Sequence, residues 1–311
     1  MGSSVSKERG LLKFSIFMGV VYSVIGITWG LILQSGIILF DAIYSGIAIL
    51  LSIMTIYALG IVTSDESFDT AGIAKTKFQM GKTSVEPLVI SIKSIVIISI
   101  CLYGFVDAVS SLISGGSTQD NAFAGILYGV ITSIVCICSW LYLKVAGKDS
   151  PDLVQAESEQ WLVDTLFSVL VIFSFALSYM LAQTSFSYMS PYIDPLSVVL
   201  ATVYFVQIPG KRLIHSVKEL LLMAPNEQIQ AKINEAILQV KDEHQLDSYI
   251  VRSTKTGRQL NIEIAFVIVD PKRTFEVGDL DKIRSEVERS LQSFGMSLWL
   301  NIIFTQDRHW A

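Results

Sequence analysis

Six apolar stretches, each long enough to cross a lipid bilayer as a helix, dominate the first two thirds of this chain. About 20 apolar residues span the hydrocarbon core, and a spanning segment must satisfy its own backbone hydrogen bonds, as a helix does. Only 16% of the 311 residues are charged, whereas soluble domains carry about 25%. The predicted spans are about 11–33, 36–62, 88–113, 123–146, 161–183 and 192–209.

Positive charge is confined to alternate connections between these stretches. The connections 34–35, 114–122 and 184–191 contain no Lys or Arg. Because cytoplasmic loops are enriched in these residues, six crossings with both termini in the cytoplasm are predicted. The charges that set this orientation are Lys7, Arg9, Lys13, Lys75, Lys77, Lys82, Lys144, Lys148, Lys211 and Arg212.

Charged residues return at ordinary density after about Pro209, which predicts a membrane domain over residues 1–210 and a soluble domain over 211–311. Apolar periodicity in the soluble part changes between helical spacing and alternation. The predicted elements are a helix over about 226–240, strands at about 247–254 and 259–269, a helix capped by Asp279 and a strand at about 297–305. This order favours a small α+β sandwich.

Composition and motifs exclude several classes of function. The net charge of −5 and the lack of a dense basic cluster argue against a nucleic-acid partner. The sequence holds three histidines and shows no HExxH motif or phosphate-binding glycine loop, so an enzyme is not expected. Cys101, Cys136 and Cys138 all lie in apolar segments, which argues against a disulfide framework.

Two aspartates lie inside spanning stretches, and each has a polar residue four positions away. Asp41 precedes Ser45, and Asp164 follows Gln160. A spacing of four places both members of a pair on one helical face, and an ionisable side chain in hydrocarbon usually faces a cavity or a partner. The two pairs predict a shared site for a cation or for protons, with structural hydrogen bonding inside the bundle as the alternative.

The chain resembles the cation diffusion facilitators, which are six-helix metal exporters with a cytoplasmic metallochaperone-like domain. The likeness covers nearly the whole length and lies in five stretches: 40–45 (FDAIYS), 81–86 (GKTSVE), 160–168 (QWLVDTLFS), 194–196 (DPL) and 221–225 (LLMAP). It implies a six-helix transmembrane bundle followed by a small cytoplasmic α-β-β-α-β domain that dimerises.

In that family, helices two and five each supply two metal ligands four residues apart. The resemblance therefore implies a metal site formed by Asp41, Ser45, Gln160 and Asp164. Family members usually carry His or Asp where Ser45 and Gln160 stand here, so this site is harder and less charged than one containing imidazole. Zinc, manganese, iron(II), cobalt, magnesium and even a monovalent ion stay open, and accessory cytoplasmic metal sites are largely absent.

Charges near the cytoplasmic side have two interpretations each. Lys93, about two turns into helix three, either extends towards the membrane surface or pairs with a carboxylate of the bundle. Glu157 and Glu159 are interpreted as loop charges before helix five, either solvated or concentrating cations at an entrance.

We therefore expect a transporter that exports a divalent metal cation from the cytoplasm by proton antiport with alternating access. Divalent cation and protons are its substrates, no cofactor is expected, and the resemblance implies a homodimer. The expected location is a bacterial inner membrane, with the lipid bilayer as partner. The alternative is a transport-silent family member that regulates or supports another membrane protein, because two usual ligands are replaced.

Overall fold

A computed structural model describes residues 2–33, 36–62, 82–116, 122–148, 150, 152–270 and 272–311. The chain divides into two compact units, Met1–Ser216 and Val217–Ala311. The predicted cytoplasmic charges Lys75 and Lys77 lie outside the described residues, so they stay a prediction.

The first unit confirms the predicted membrane bundle. The described residues include six helical segments that are long and apolar enough to cross a membrane. Five of them lie in α1 (Gly2–Leu33), α2 (Gly36–Val62), α3 (Val85–Ile113), α4 (Ala122–Ala146) and α5 (Asp152–Ala182). The sixth segment, Ser187–Leu220, includes α6 (Ser190–Phe205) and α7 (Gln207–Leu220). The fifth helix begins at Asp152 rather than near 161, because glutamates lower hydropathy but are good helix formers.

Small residues allow the helices of this unit to pack closely. A Cβ atom at Gly125 of α4 would lie 2.4 Å from the Phe175 ring of α5, and one at Gly129 would lie 2.7 Å from Ile172 Cγ1. Buried serine and threonine side chains are also frequent along the helices. Small and hydroxylated residues are typical of helix contacts in membranes, where lipid is as apolar as leucine.

The second unit confirms the predicted α+β order. Its elements are α8 (Glu227–Glu243), β1 (Ser248–Thr256), β2 (Gln259–Val267), α9 (Val277–Leu291) and β3 (Ser297–Thr305). The sheet order is β1-β2-β3, with β1 antiparallel and β3 parallel to β2. Ile237, Phe266 and Leu291 are fully buried between helices and sheet.

One local prediction in this unit is wrong. Asp279 does not cap α9: Glu276 occupies the N-cap position, and Asp279 lies in the first turn with its carboxylate 3.0 Å from Lys282 Nζ. An acidic residue there still interacts favourably with the helix dipole. The β1–β2 hairpin turns at Gly257, whose φ of +55° is the left-handed conformation that glycine adopts at little cost.

Candidate functional site

Three of the four predicted ligand residues line one cavity in the membrane unit. Ser45 comes from α2, and Gln160 and Asp164 come from successive turns of α5. The cavity has a volume of about 20 Å³, which is room for roughly one water-sized particle. The other lining residues belong to α1, α2 and α5: Ser15, Gly19, Tyr22, Ile49, Ser52 and Trp161.

Asp41, the fourth predicted ligand, lies in α2 one helical turn before Ser45. Its side chain is outside the described part of the structure. Its helical position agrees with the spacing argument, and its participation in the site stays a prediction.

Gln160 carries a buried acceptor that the surrounding bundle does not satisfy. The residue is 8% exposed, and among the described residues its Oε1 atom has no hydrogen-bond donor. A buried oxygen without a partner costs free energy, so such atoms in native proteins call for an explanation. A cation bound in the cavity would supply the missing partner of this oxygen, in agreement with the predicted role of Gln160 as a ligand.

One turn before Gln160, a buried carboxylate joins four helices. Glu157 of α5 is 1% exposed and accepts hydrogen bonds from Ser15 Oγ of α1 at 2.7 Å and from Ser52 Oγ of α2 at 2.9 Å. Its Oε1 atom also contacts the ammonium of Lys93 on α3, which is 3% exposed. The interpretation of Glu157 as a loop charge is therefore wrong, and Lys93 pairs with a carboxylate inside the bundle.

The same network reaches the cavity wall through an indole. Trp161 Nε1 donates a hydrogen bond to Ser15 Oγ at 2.8 Å, while Ser15 donates to Glu157. Ser15 Oγ therefore accepts a hydrogen bond from Trp161 and donates one to Glu157. Ser52 Oγ donates between the two oxygens of the Glu157 carboxylate. Ser15, Ser52 and Trp161 all border the cavity, so the ion pair and the candidate site share walls.

Glu159 also belongs to α5 and not to a loop. Arg212 of α7 binds its carboxylate with two parallel hydrogen bonds, Nε to Oε2 at 2.6 Å and Nη2 to Oε1 at 2.5 Å. This fork geometry is the strong form of an Arg–carboxylate pair. The pair borders a second cavity of about 30 Å³ that Lys93 and Gln160 also line.

The candidate site is made of oxygen. Among the described residues, no group of three or more His, Cys, Asp and Glu side chains lies close enough together to hold a metal ion. In the second unit, His244 pairs with Glu286 and His309 packs edge-on against Trp310. A carboxylate with hydroxyl and amide oxygens is a donor set for hard cations such as Mg²⁺ and Mn²⁺ more than for Zn²⁺.

Reasoning from the sequence missed Glu157, Ser15 and Ser52, although a signal for two of them exists. Glu157 lies seven residues before Asp164, and Ser52 lies seven residues after Ser45. Two helical turns separate both pairs, so each new residue shares a helical face with a predicted ligand. Ser15 on α1 has no such relation and becomes visible only from the packing.

Comparison with known proteins identifies a family for the membrane helices. The family model for the cation efflux transmembrane domain matches residues 12–221, which extend from within α1 to just beyond the end of α7. A search of curated proteins found no match to the chain.

Proposed function

The chain belongs to the cation efflux family of metal-cation transporters, and from this premise we propose that it exports a divalent metal cation from the cytoplasm in exchange for protons. In this mechanism the cation is held by Asp41, Ser45, Gln160 and Asp164. Alternating exposure of this site to the two sides of the membrane moves the ion.

The observation that carries this proposal is the cavity shared by α2 and α5. Ser45, Gln160 and Asp164 border a space the size of one small ion, and the Gln160 oxygen there lacks a donor among the described residues. A carboxylate in a membrane helix is costly and functional by default. Oxygen donors from two helices also give rocking motions a direct means to open and close the site.

Competition between cation and proton supplies the coupling. Carboxylates bind a metal only when deprotonated, so protonation and metal binding exclude each other at the same oxygens. Protonation of Asp41 and Asp164 from the acidic side releases the cation. Return of the protonated site to the cytoplasmic side, followed by proton loss, completes the exchange.

The remaining parts of the proposal concern assembly and orientation. The protein lies in a bacterial inner membrane with both termini in the cytoplasm. The accumulation of Lys and Arg in alternate connections supports this orientation. The α+β unit joins two copies into a homodimer, as the family resemblance implies. The three histidines of the chain contribute no ligand to the transport site.

Proteoliposomes test the transport function. Purified full-length protein is reconstituted with a pH-sensitive dye inside, and Mn²⁺, Fe²⁺, Co²⁺, Zn²⁺ or Mg²⁺ is added outside. At least one of these ions should drive proton movement in the wild type, and Asp164→Asn should abolish it, because the charge that holds the ion is lost. Asp107→Asn is the matched control: Asp107 is an exposed carboxylate in α3 that does not line the cavity.

Each other outcome has a distinct meaning. No flux with any ion in wild type and both variants would favour the transport-silent alternative, in which the protein supports another membrane protein. Equal flux in wild type and Asp164→Asn would refute the role of Asp164. Cation flux that needs no proton movement would indicate a passive channel.

A further inference from the structure

The buried ion pair between Lys93 and Glu157 calls for a function beyond structure. The two side chains are 3% and 1% exposed, and they lie within membrane-spanning helices. Burying a pair of charges carries a desolvation penalty that their attraction often fails to offset, and ionisable residues inside membrane bundles mark ion pathways. A well-packed apolar pair would hold α3 to α5 without this penalty.

The surroundings of Glu157 repeat the chemistry of the candidate transport site. There a carboxylate on α5 and a serine on α2 border the cavity; here Glu157 of α5 is joined by Ser52 of α2 and by Ser15 of α1. Seven residues separate the two levels on both helices, which corresponds to about 10.5 Å along each axis. The level of Glu157 lies towards the ends of α2 and α5 that the proposed orientation places in the cytoplasm.

The two levels are physically continuous. Ser15 and Ser52, which bind Glu157, also line the cavity that Ser45 and Asp164 line. Gln160, a buried residue whose Oε1 atom has no donor among the described residues, lies between Glu157 and Asp164 on α5. Ser15, Ser52 and Gln160 therefore connect the level of Glu157 to the cavity that Asp164 lines.

We propose that Glu157, Ser15 and Ser52 form a second cation site on the cytoplasmic side of the transport site, and that the ammonium of Lys93 occupies it as a tethered cation until the transported ion replaces it. This proposal rests on the transport function and deepens it. The carboxylate and hydroxyl oxygens suit a hard cation. Lysine suits the role of occupant because it carries a compact charge on a flexible stem.

The structure also offers the displaced ammonium a place to go. Lys93 borders the second cavity of about 30 Å³, whose walls include Glu159, Gln160 and Arg212. Movement into that space takes Nζ away from Glu157 without withdrawing Lys93 from the bundle. The Lys93 charge stays inside the protein while the metal ion passes along Glu157 to Asp164.

A tethered ammonium selects for charge. The tethered ammonium of Lys93 competes at an effective concentration of about millimolar or more. A monovalent ion has the same charge, so it gains no Coulomb attraction to Glu157 by replacing Lys93. A divalent ion gains about twice the Coulomb attraction to the same carboxylate. Lys93 is thus a specificity-determining residue that excludes Na⁺ and K⁺ from the pathway.

Equilibrium dialysis of purified full-length protein against Mn²⁺, with Na⁺ as competitor, tests the proposal. At a Mn²⁺ concentration that fills only the Asp164 site of the wild type, Lys93→Met should bind one more Mn²⁺ per chain, because no ammonium competes at Glu157, and Na⁺ should compete for this additional ion only. The charge-neutral variant Lys93→Met/Glu157→Gln should lose the additional Mn²⁺ and keep binding at Asp164. The same Mn²⁺ stoichiometry in Lys93→Met and wild type at that concentration would overturn the proposal.

A transport measurement keeps the test decisive if Lys93→Met alone does not fold. The double variant carries no unpaired charge, and its Mn²⁺-driven flux in proteoliposomes should fall about tenfold or more, because a level of the pathway is missing. Unchanged flux in the double variant would reduce the ion pair to a structural contact. Flux in the wild type with loss in Asp164→Asn supports the transport function separately, so a failure of this proposal is distinguishable from a failure of the transport function.

Discussion

Replacing Gln160 by leucine separates a role in cation binding from a role in holding the bundle together. Gln160 is 8% exposed, and its Oε1 atom has no donor in the described part of the chain. A buried acceptor without a partner costs about 1–3 kcal/mol. An apolar side chain of similar size removes this cost, so Gln160→Leu should leave stability unchanged or raise it by up to about that amount.

Cation binding should weaken in the same variant. A contact between a neutral polar group and a charge contributes about 1.5–3 kcal/mol, and about 1.4 kcal/mol corresponds to a tenfold change in Kd. The Kd for the transported ion should therefore rise about ten- to hundredfold. Thermal unfolding of the detergent-solubilised protein, with and without Mn²⁺, measures both effects in one experiment.

Gln155→Leu is the matched control for this experiment. Gln155 is an exposed residue of the same helix, and its Nε2 atom donates to the Ser150 carbonyl at 3.2 Å. Its replacement should leave the Mn²⁺ response at the wild-type value. A lower unfolding midpoint of Gln160→Leu without metal, combined with an unchanged Kd, would show that Gln160 supports the bundle and does not bind the ion.

Three further substitutions, the first with a matched control, test local contacts in the two units. Gly125→Ala places a Cβ atom 2.4 Å from the Phe175 ring and should lower the free energy of unfolding by about 1–3 kcal/mol. Gly104→Ala is the control, because a Cβ atom there has nothing within 4 Å, and it should be neutral or slightly stabilising. Thermal unfolding in detergent compares the two variants. Gly257→Ala forces a side chain into φ +55° and should cost about 1–2 kcal/mol, seen as faster hydrogen exchange of the β1–β2 hairpin. Glu219→Ala removes the acceptor 2.8 Å from the Gly257 amide. Hydrogen exchange of the same amides should become faster, because the free energy needed to open the hairpin falls by about 1–3 kcal/mol. Unchanged exchange in either variant would contradict these assignments.

The elements of the fold follow from local patterns in the sequence. Apolar length alone predicts the membrane helices, and alternation predicts a strand at about 259–269, where the structure has β2 over Gln259–Val267. The start of α5 shows the limit of this reasoning. The apolar stretch begins only after Gln160, but α5 already includes Glu157 and Glu159, because glutamate is a good helix former despite its charge.

The candidate site likewise has one part that the sequence predicts and another that only the packing of helices decides. Spacing on one helix places Gln160 next to Asp164, and a periodic rule is enough for that. Which face of α1 meets α5, and hence that Ser15 binds Glu157, depends on how several helices pack at once. No pattern within a single helix contains that information.

The sequence alone determined the organisation of the membrane domain, the order of the α+β elements and the placement of paired ligands on one helical face, because length, periodicity and charge act locally. Only the tertiary structure decided that Lys93 and Glu157 form a buried pair beside the cavity, since a long flexible side chain has many partners in reach. The physical reason is that burial and ion pairing are properties of neighbours brought together by packing, which lie 64 residues apart in this case.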